Sequence, residues 1–130
     1  MPITALFAAL LAPLHILLTL RVIGARRAAK VAMGDGGDGL LMRRMRVHGN
    51  FAEQVPIALI LLGLAESLQA PAIVLFCAGA CLLIGRLSHA YGVSQMKETF
   101  SFRVTGMMLT FAAIAIAAAT CLILLIMARA

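Results

Sequence analysis

The stretch from Val104 to Met127, VTGMMLTFAAIAIAAATCLILLIM, holds 24 consecutive residues with no charged side chain. A helix needs about 20 apolar residues to cross the hydrocarbon core of a bilayer. Helical structure is required there because each backbone N–H and C=O must find its partner inside the segment. The stretch therefore predicts a transmembrane helix.

Three further apolar segments precede this one, and a chain of 130 residues has room for a single domain. We predict one transmembrane domain over residues 1–130, with four helices at about 3–23, 47–68, 70–93 and 104–127. The turn before the third helix is short and contains Pro71, which suits a helix start. These connections predict an all-α, up-down four-helix bundle, and frequent small residues favour tight packing and an oligomer.

Composition excludes an ordinary soluble domain, because 63% of the residues are hydrophobic, only 12% are charged and the mean hydropathy is +1.05. The net charge of +6 does not indicate nucleic-acid binding, since seven of the eleven basic residues lie between Arg21 and Arg46. Such clustering is typical of a cytoplasmic loop. We therefore predict an integral membrane protein with both termini on the non-cytoplasmic side, although Arg129 argues weakly the other way. The first apolar segment lacks a basic leader and is expected to remain as a helix.

The start of the second predicted helix carries the most informative polar residues. At 100° per residue, Arg46, Asn50 and Glu53 lie within about 60° of one another on one helix face. A carboxylate about two turns into the membrane needs a cation or a strong donor. Arg46 and Asn50 are within reach of Glu53 on the same helix.

Two other clusters are expected at the same end of the bundle. Arg86 and His89 share a face near the cytoplasmic end of the third helix, and Arg103 opens the fourth. A cation at a helix N-terminus opposes the helix dipole, so a bound anion or an acidic neighbour would explain Arg103 better than helix stability. These residues together suit a small anionic cytoplasmic ligand that also carries an amine.

Structural interpretations stand beside these functional ones. Arginines at helix ends often extend only to lipid phosphates. His48 is predicted to be an interfacial residue, His15 a helix–helix hydrogen-bonding group and Glu66 a solvated residue at the outer helix end. Tyr91 also fits an interfacial aromatic belt.

Two features that suggest metal or redox chemistry are interpreted as structural. The glycine-rich stretch 34–39 lacks the later glutamate of a calcium loop and the preceding strand of a phosphate loop, so it predicts a flexible turn. Cys77, Cys81 and Cys121 lie in apolar segments and are predicted to be packing residues. No metal site is predicted.

The polar motifs together resemble those of the MAPEG superfamily, the membrane-associated proteins in eicosanoid and glutathione metabolism. The resemblance covers nearly the whole chain and is greatest to small bacterial inner-membrane members. It rests on three motifs in order, Arg46-x-x-x-Asn50-x-x-Glu53-x-x-Pro56, then Gly85-Arg86-x-x-His89, then Arg103.

This resemblance implies a homotrimer in the inner membrane, with glutathione as cosubstrate bound between subunits near the cytoplasmic face. Its activity would be that of a glutathione-dependent transferase or peroxidase, whose lipophilic substrate arrives from the bilayer lipids. Arg103 would stabilise the glutathione thiolate as the catalytic residue. The residues that would hold or line the glutathione site are Arg46, Asn50, Glu53, Arg86, His89 and Tyr91.

Two positions depart from the family's synthases, which carry tyrosines where this chain has Gln54 and Val93. The alternative function is a non-enzymatic protein of the same fold that binds an anionic lipid or metabolite. A small multidrug transporter is disfavoured, because the first predicted helix has no carboxylate to couple proton and drug. A thiol–quinone oxidoreductase is also disfavoured, because it would need paired cysteines at an exposed membrane edge and the sequence does not place them there.

Overall fold

The computed structural model describes residues 1–95 and 100–128, and consists of four helices. They are α1 (Pro2–Ala29), α2 (Gly39–Ser67), α3 (Ala72–Ser94) and α4 (Phe100–Met127). Each is long and apolar enough to cross a membrane, which confirms the four predicted helices. Part of the predicted third loop, together with Arg129, lies outside the described residues.

The helices are arranged around a central pair. α2 and α3 contact each other, and both also contact α1 and α4. Within the described residues, α1 and α4 do not pack on one another, so they lie on opposite sides of the α2–α3 pair. Short connections make consecutive helices antiparallel, and Pro71 is the N-cap of α3, as predicted.

The loop after the first helix is much shorter than predicted. α1 continues to Ala29 and α2 begins at Gly39, so the predicted loop from 24 to 46 shrinks to residues 30–38. The side chain of Asp38 caps α2 by accepting a hydrogen bond from Leu41 N at 2.7 Å. The prediction was wrong here because hydrocarbon thickness limits only the apolar part of a helix, and both helices extend beyond it with basic residues.

Backbone geometry and one arginine shape this loop. Gly34, Gly36 and Gly37 have φ values of 69°, 57° and 79°, which suit glycine. Arg26 Nη1 donates to the carbonyl oxygen of Gly34 at 2.8 Å. Asp35 Oδ1 accepts a hydrogen bond from Gly37 N at 3.1 Å. The glycine-rich stretch is therefore a turn fastened to the end of α1.

α3 and α4 pack more extensively than any other pair because glycines let their backbones approach. A Cβ atom added to Gly106 would lie 2.5 Å from His89 N and 2.7 Å from Gly85 O. The two helices consequently meet with backbone in contact with backbone. This places the end of α3 directly against the start of α4.

Glu66 links α1 and α2 at the end of the bundle opposite the loop after α1. Its Oε1 accepts from Ile3 N at 2.9 Å, and its Oε2 accepts from Thr4 N at 2.8 Å and Thr4 Oγ1 at 2.6 Å. Glu66 lies at the end of α2, as predicted, and is half-exposed; the prediction did not include its role as a cap of the N-terminus of α1. Partners more than 60 residues away in the chain are not visible in the local sequence.

The two membrane histidines lie at the α1–α2 contact. His48 Nε2 is 3.0 Å from Thr19 Oγ1, and the His15 ring lies 5.2 Å from the His48 ring and 5.6 Å from that of Phe51. The helix–helix hydrogen bond predicted for His15 is therefore made by His48. His15 is exposed, with its ring tilted against that of His48 and stacked on that of Phe51.

Gly106→Ala should destabilise the bundle by about 1–3 kcal/mol, because the added methyl group must separate α3 from α4. Thermal unfolding in detergent, followed by circular dichroism at the helix band, measures the effect. Gly24→Ala is the matched control, since a Cβ atom there meets nothing within 4 Å. Equal melting temperatures for the two variants would contradict the close α3–α4 packing.

Glu66→Ala should release the first turn of α1, because two backbone N–H groups and one hydroxyl lose their acceptor. Losing a cap of this kind costs about 1–2 kcal/mol. Hydrogen–deuterium exchange should then accelerate in residues 2–6 while the loop end of the bundle keeps its protection. Ser67→Ala, at an exposed neighbour, serves as control. Unchanged exchange in residues 2–6 of Glu66→Ala would exclude the capping role.

Candidate functional site

A large cleft opens at the loop end of the bundle, with a volume of about 960 Å³. Its walls come from the loop after α1, the first half of α2, the last turns of α3 and the start of α4. The residues that line it are Gly34, Asp35, Met42, Arg43, Met45, Arg46, Gly49, Asn50, Glu53, His89, Val93 and Arg103.

One wall of the cleft is the polar face of α2. Arg46, Asn50 and Glu53 all line it, as the helical spacing predicts. Arg46 and Glu53 are exposed in the single chain, whereas Asn50 is half-buried. The three side chains therefore offer a cation, an amide and a carboxylate along about two turns of one helix.

The facing walls bring His89 from α3 and Arg103 from α4 into the same space. His89 is buried, because the α4 backbone at Gly106 packs against it. Arg103 is exposed and lies in the first turn of α4. Up-down topology thus gathers residues more than 50 positions apart at one end of the bundle.

Arg86 does not line the cleft but lies behind it, with only 1% of its surface exposed. Its Nη1 donates to Asn50 Oδ1 at 2.7 Å, and its Nη2 donates to Gly106 O at 3.4 Å. Nη2 also lies 3.4 Å from the sulfur of Met107, while Nε has no partner among the described residues. The guanidinium thus joins α2, α3 and α4 through uncharged acceptors.

This arrangement bears on the environment predicted for Glu53. The sequence suggested that Asn50 and Arg46 partner the carboxylate along α2. Arg86 from α3 binds the oxygen of the Asn50 amide, so the NH2 group remains the end that can donate to an acceptor. Glu53 is left with its carboxylate at the exposed wall of the cleft.

Tyr91 lies apart from the other candidate residues. It is 55% exposed, and its ring meets the edge of the Phe102 ring with the centroids 5.2 Å apart. The described lining of the cleft includes Val93 on the same helix but not Tyr91. A role for Tyr91 in ligand binding stays a prediction.

Sequence reasoning missed two charged residues of the cleft, Asp35 and Arg43. Asp35 belongs to the turn that was interpreted as a simple connection. Arg43 precedes Arg46 by one helical turn and shares its face, a signal that becomes visible once α2 is taken to begin after Asp38. With Arg46 and Arg103, the cleft holds three arginines against two carboxylates.

Other arginines at this end have structural partners. Arg26 binds carbonyl oxygens of the turn, Arg44 Nη1 donates to Arg21 O at 3.0 Å, and Arg21 Nη1 donates to Ser94 Oγ at 3.2 Å. These three side chains connect α1 with the loop, α2 and α3. Several basic residues at this end therefore tie helices together, and Arg43, Arg46 and Arg103 line the cleft.

Comparison with known proteins places the chain in a family. A model of the MAPEG family matches residues 4–123, which is nearly the whole chain. The protein belongs to the MAPEG family. The resemblance inferred from the three polar motifs is thereby confirmed.

Two curated relatives are both named inner membrane protein YecN. One is from Escherichia coli strain K12 and the other from Escherichia coli O6:H1 strain CFT073. Each is 37% identical to this chain over 112 residues, covering 86% of this chain and 84% of the relative. With the four apolar helices, these relatives support an integral inner membrane protein of the MAPEG family.

Proposed function

We propose that this protein is a glutathione-dependent transferase or peroxidase that acts on lipophilic electrophiles. The cleft carries the proposal, because it combines the Arg46–Asn50–Glu53 face with His89 and Arg103 in a MAPEG family member. Glutathione is an anion with one free amine and two carboxylates. Three arginines and two carboxylates around the cleft match that distribution of charge.

Glu53 would accept the amine of glutathione, and the arginines of the cleft would hold its carboxylates. Arg103 would lie beside the thiol, where a guanidinium favours the thiolate. The N-terminus of α4 adds the positive end of its helix dipole at the same place. Both effects lower the pKa of a bound thiol and raise the fraction of the reactive nucleophile.

Two reactions follow from a bound thiolate. In conjugation, the sulfur forms a bond to an electrophilic carbon, and the displaced electron pair leaves with the leaving group or is protonated. In peroxide reduction, two glutathione molecules reduce a lipid hydroperoxide to the alcohol and water and are themselves oxidised to the disulfide. The apolar outer surface of the helices would admit either substrate from the bilayer.

We further propose that the protein assembles as a homotrimer with glutathione between neighbouring subunits. The exposed carboxylate of Glu53 supports this assembly, because an open wall on a membrane helix favours closure by a second copy. Small residues on the helices would permit close approach between subunits.

A second candidate function is a non-enzymatic protein that binds an anionic lipid or metabolite in the same cleft. It is favoured by Val93, which is buried and lines the cleft where the family's synthases carry a tyrosine. An apolar side chain there removes a phenol donor from the site. The two functions differ in whether a bound thiol becomes ionised.

Glutathione added to the detergent-purified protein should produce the near-ultraviolet absorbance of a thiolate. Arg103→Ala should abolish this signal while the protein stays folded. Glu53→Gln should weaken glutathione binding about ten- to hundredfold, because a charge-assisted hydrogen bond to the amine is lost. Arg27→Ala, which removes an exposed cation outside the cleft, should leave both unchanged.

Thiolate absorbance retained in Arg103→Ala would contradict the role proposed for that residue. Wild-type protein that gives no thiolate signal and no binding would exclude the glutathione-dependent function. Anionic lipid or metabolite binding that survives in such a protein would instead support the second candidate.

The clustering of basic residues at the end of α1 and the start of α2, on either side of the loop 30–38, sets the expected orientation. Alkaline phosphatase fused after residue 130 should be active in the periplasm, and a fluorescent protein fused there should stay dark if exported unfolded. A fusion within residues 31–37 should give the opposite pattern. A fluorescent, phosphatase-negative C-terminal fusion would place the cleft on the periplasmic side and overturn access to cytoplasmic glutathione.

A further inference from the structure

Arg86 is buried behind Asn50 and does not reach the cleft surface. Its exposed fraction is 1%, and its partners are Asn50 Oδ1, the carbonyl oxygen of Gly106 and the sulfur of Met107. Asn50 lines the cleft from the other side. A hydrogen-bonded connection from Arg86 to a ligand in the cleft therefore runs through Asn50.

The contact selects which end of the Asn50 amide faces the guanidinium. A carboxamide carries an acceptor oxygen and a donor NH2 group, whereas a guanidinium has donors only. Arg86 accordingly binds the oxygen, at 2.7 Å, and the NH2 group is the end left for the cleft. A rotation of the Asn50 carboxamide that exchanged its oxygen and its NH2 group would place the NH2 donor against the N–H donors of the buried Arg86 guanidinium.

The position of Arg86 is itself constrained by the packing of α3 on α4. Its second amino group donates to Gly106 O, at the point where the two backbones are in contact. Arg86 therefore cannot follow a rotating Asn50 without losing the contact to α4. The packing of α3 on α4 thereby fixes the orientation of the Asn50 side chain at the cleft.

We propose that Arg86 is a positioning residue that fixes Asn50 as a hydrogen-bond donor toward the cleft. Asn50 then selects a ligand with an oxygen acceptor, a carboxylate or carbonyl, one helical turn from the amine that Glu53 would hold. This inference rests on the proposed glutathione function and assigns Arg86 no direct contact with glutathione.

Asn50→Asp tests the donor role with almost no change in shape. One carboxylate oxygen would still accept from Arg86, so the thermal stability of the variant should equal or exceed that of wild type. The other oxygen would replace the NH2 donor at the cleft. Isothermal titration with reduced glutathione should show binding weakened about tenfold or more. Binding should also be weaker than in Asn50→Ala, which removes the donor, and with it the acceptor of Arg86, but places no negative charge at the cleft.

Arg86→Lys tests the positioning role, because one ammonium group cannot reproduce the two-pronged contact with Asn50 and Gly106. It should weaken glutathione binding several-fold when Asn50 is present. In the Asn50→Ala background the same change should have little further effect, since there is no amide left to orient. This non-additivity separates positioning from general loss of stability or charge.

The outcomes are distinguishable. If Arg86→Lys weakens binding equally in both backgrounds, Arg86 acts directly and the positioning role is overturned. If wild type binds glutathione and Asn50→Asp binds it equally well, the donor role alone is overturned. If wild type binds no glutathione, the proposed function and the donor role fail together. If Asn50→Asp unfolds while Asn50→Ala does not, the contact between Asn50 and Arg86 is contradicted.

Discussion

The buried guanidinium of Arg86 links three of the four helices near the loop end of the bundle. Removing a charged group from water costs several kcal/mol unless hydrogen bonds compensate it. Here the compensation comes from an amide on α2 and a carbonyl on α4, both reached from α3. Three helices must therefore converge at one depth. The glycines at the α3–α4 contact allow that convergence by bringing the backbone carbonyl of Gly106 within reach.

The cleft follows from this convergence. While Arg86 holds Asn50 from behind, Arg46 and Glu53 on the same α2 face stay exposed and form a wall of the cleft. α4 begins directly opposite and brings Arg103 to the same space. Structural arginines elsewhere bind backbone or hydroxyl oxygens, which leaves the cationic character of the cleft to Arg43, Arg46 and Arg103. We propose that its ligand is a zwitterionic peptide with an excess of negative charge.

The four helices and the polar face of α2 could be predicted from the sequence, because both depend only on residues that are close together in the chain. Apolar length gives the four helices, and helical period places Arg46, Asn50 and Glu53 on one face. The boundaries near the loop could not be predicted in the same way, since the Asp38 cap and basic extensions lie outside the hydrocarbon span. The capping by Glu66 was missed because its partners are more than 60 residues away. The placement of Arg86 behind Asn50 depends on how α3 is positioned along α2. The spacing of residues within one helix carries no information about that position.

Hydrogen–deuterium exchange with and without glutathione is the sharpest test of whether the cleft at the loop end binds glutathione. We expect slower exchange in residues 30–53 and 86–95 when glutathione is added. The opposite end, residues 1–6 and 66–72, should exchange at the same rate in both samples. Protection confined to that opposite end, or no protection anywhere, would show that glutathione does not bind in the cleft.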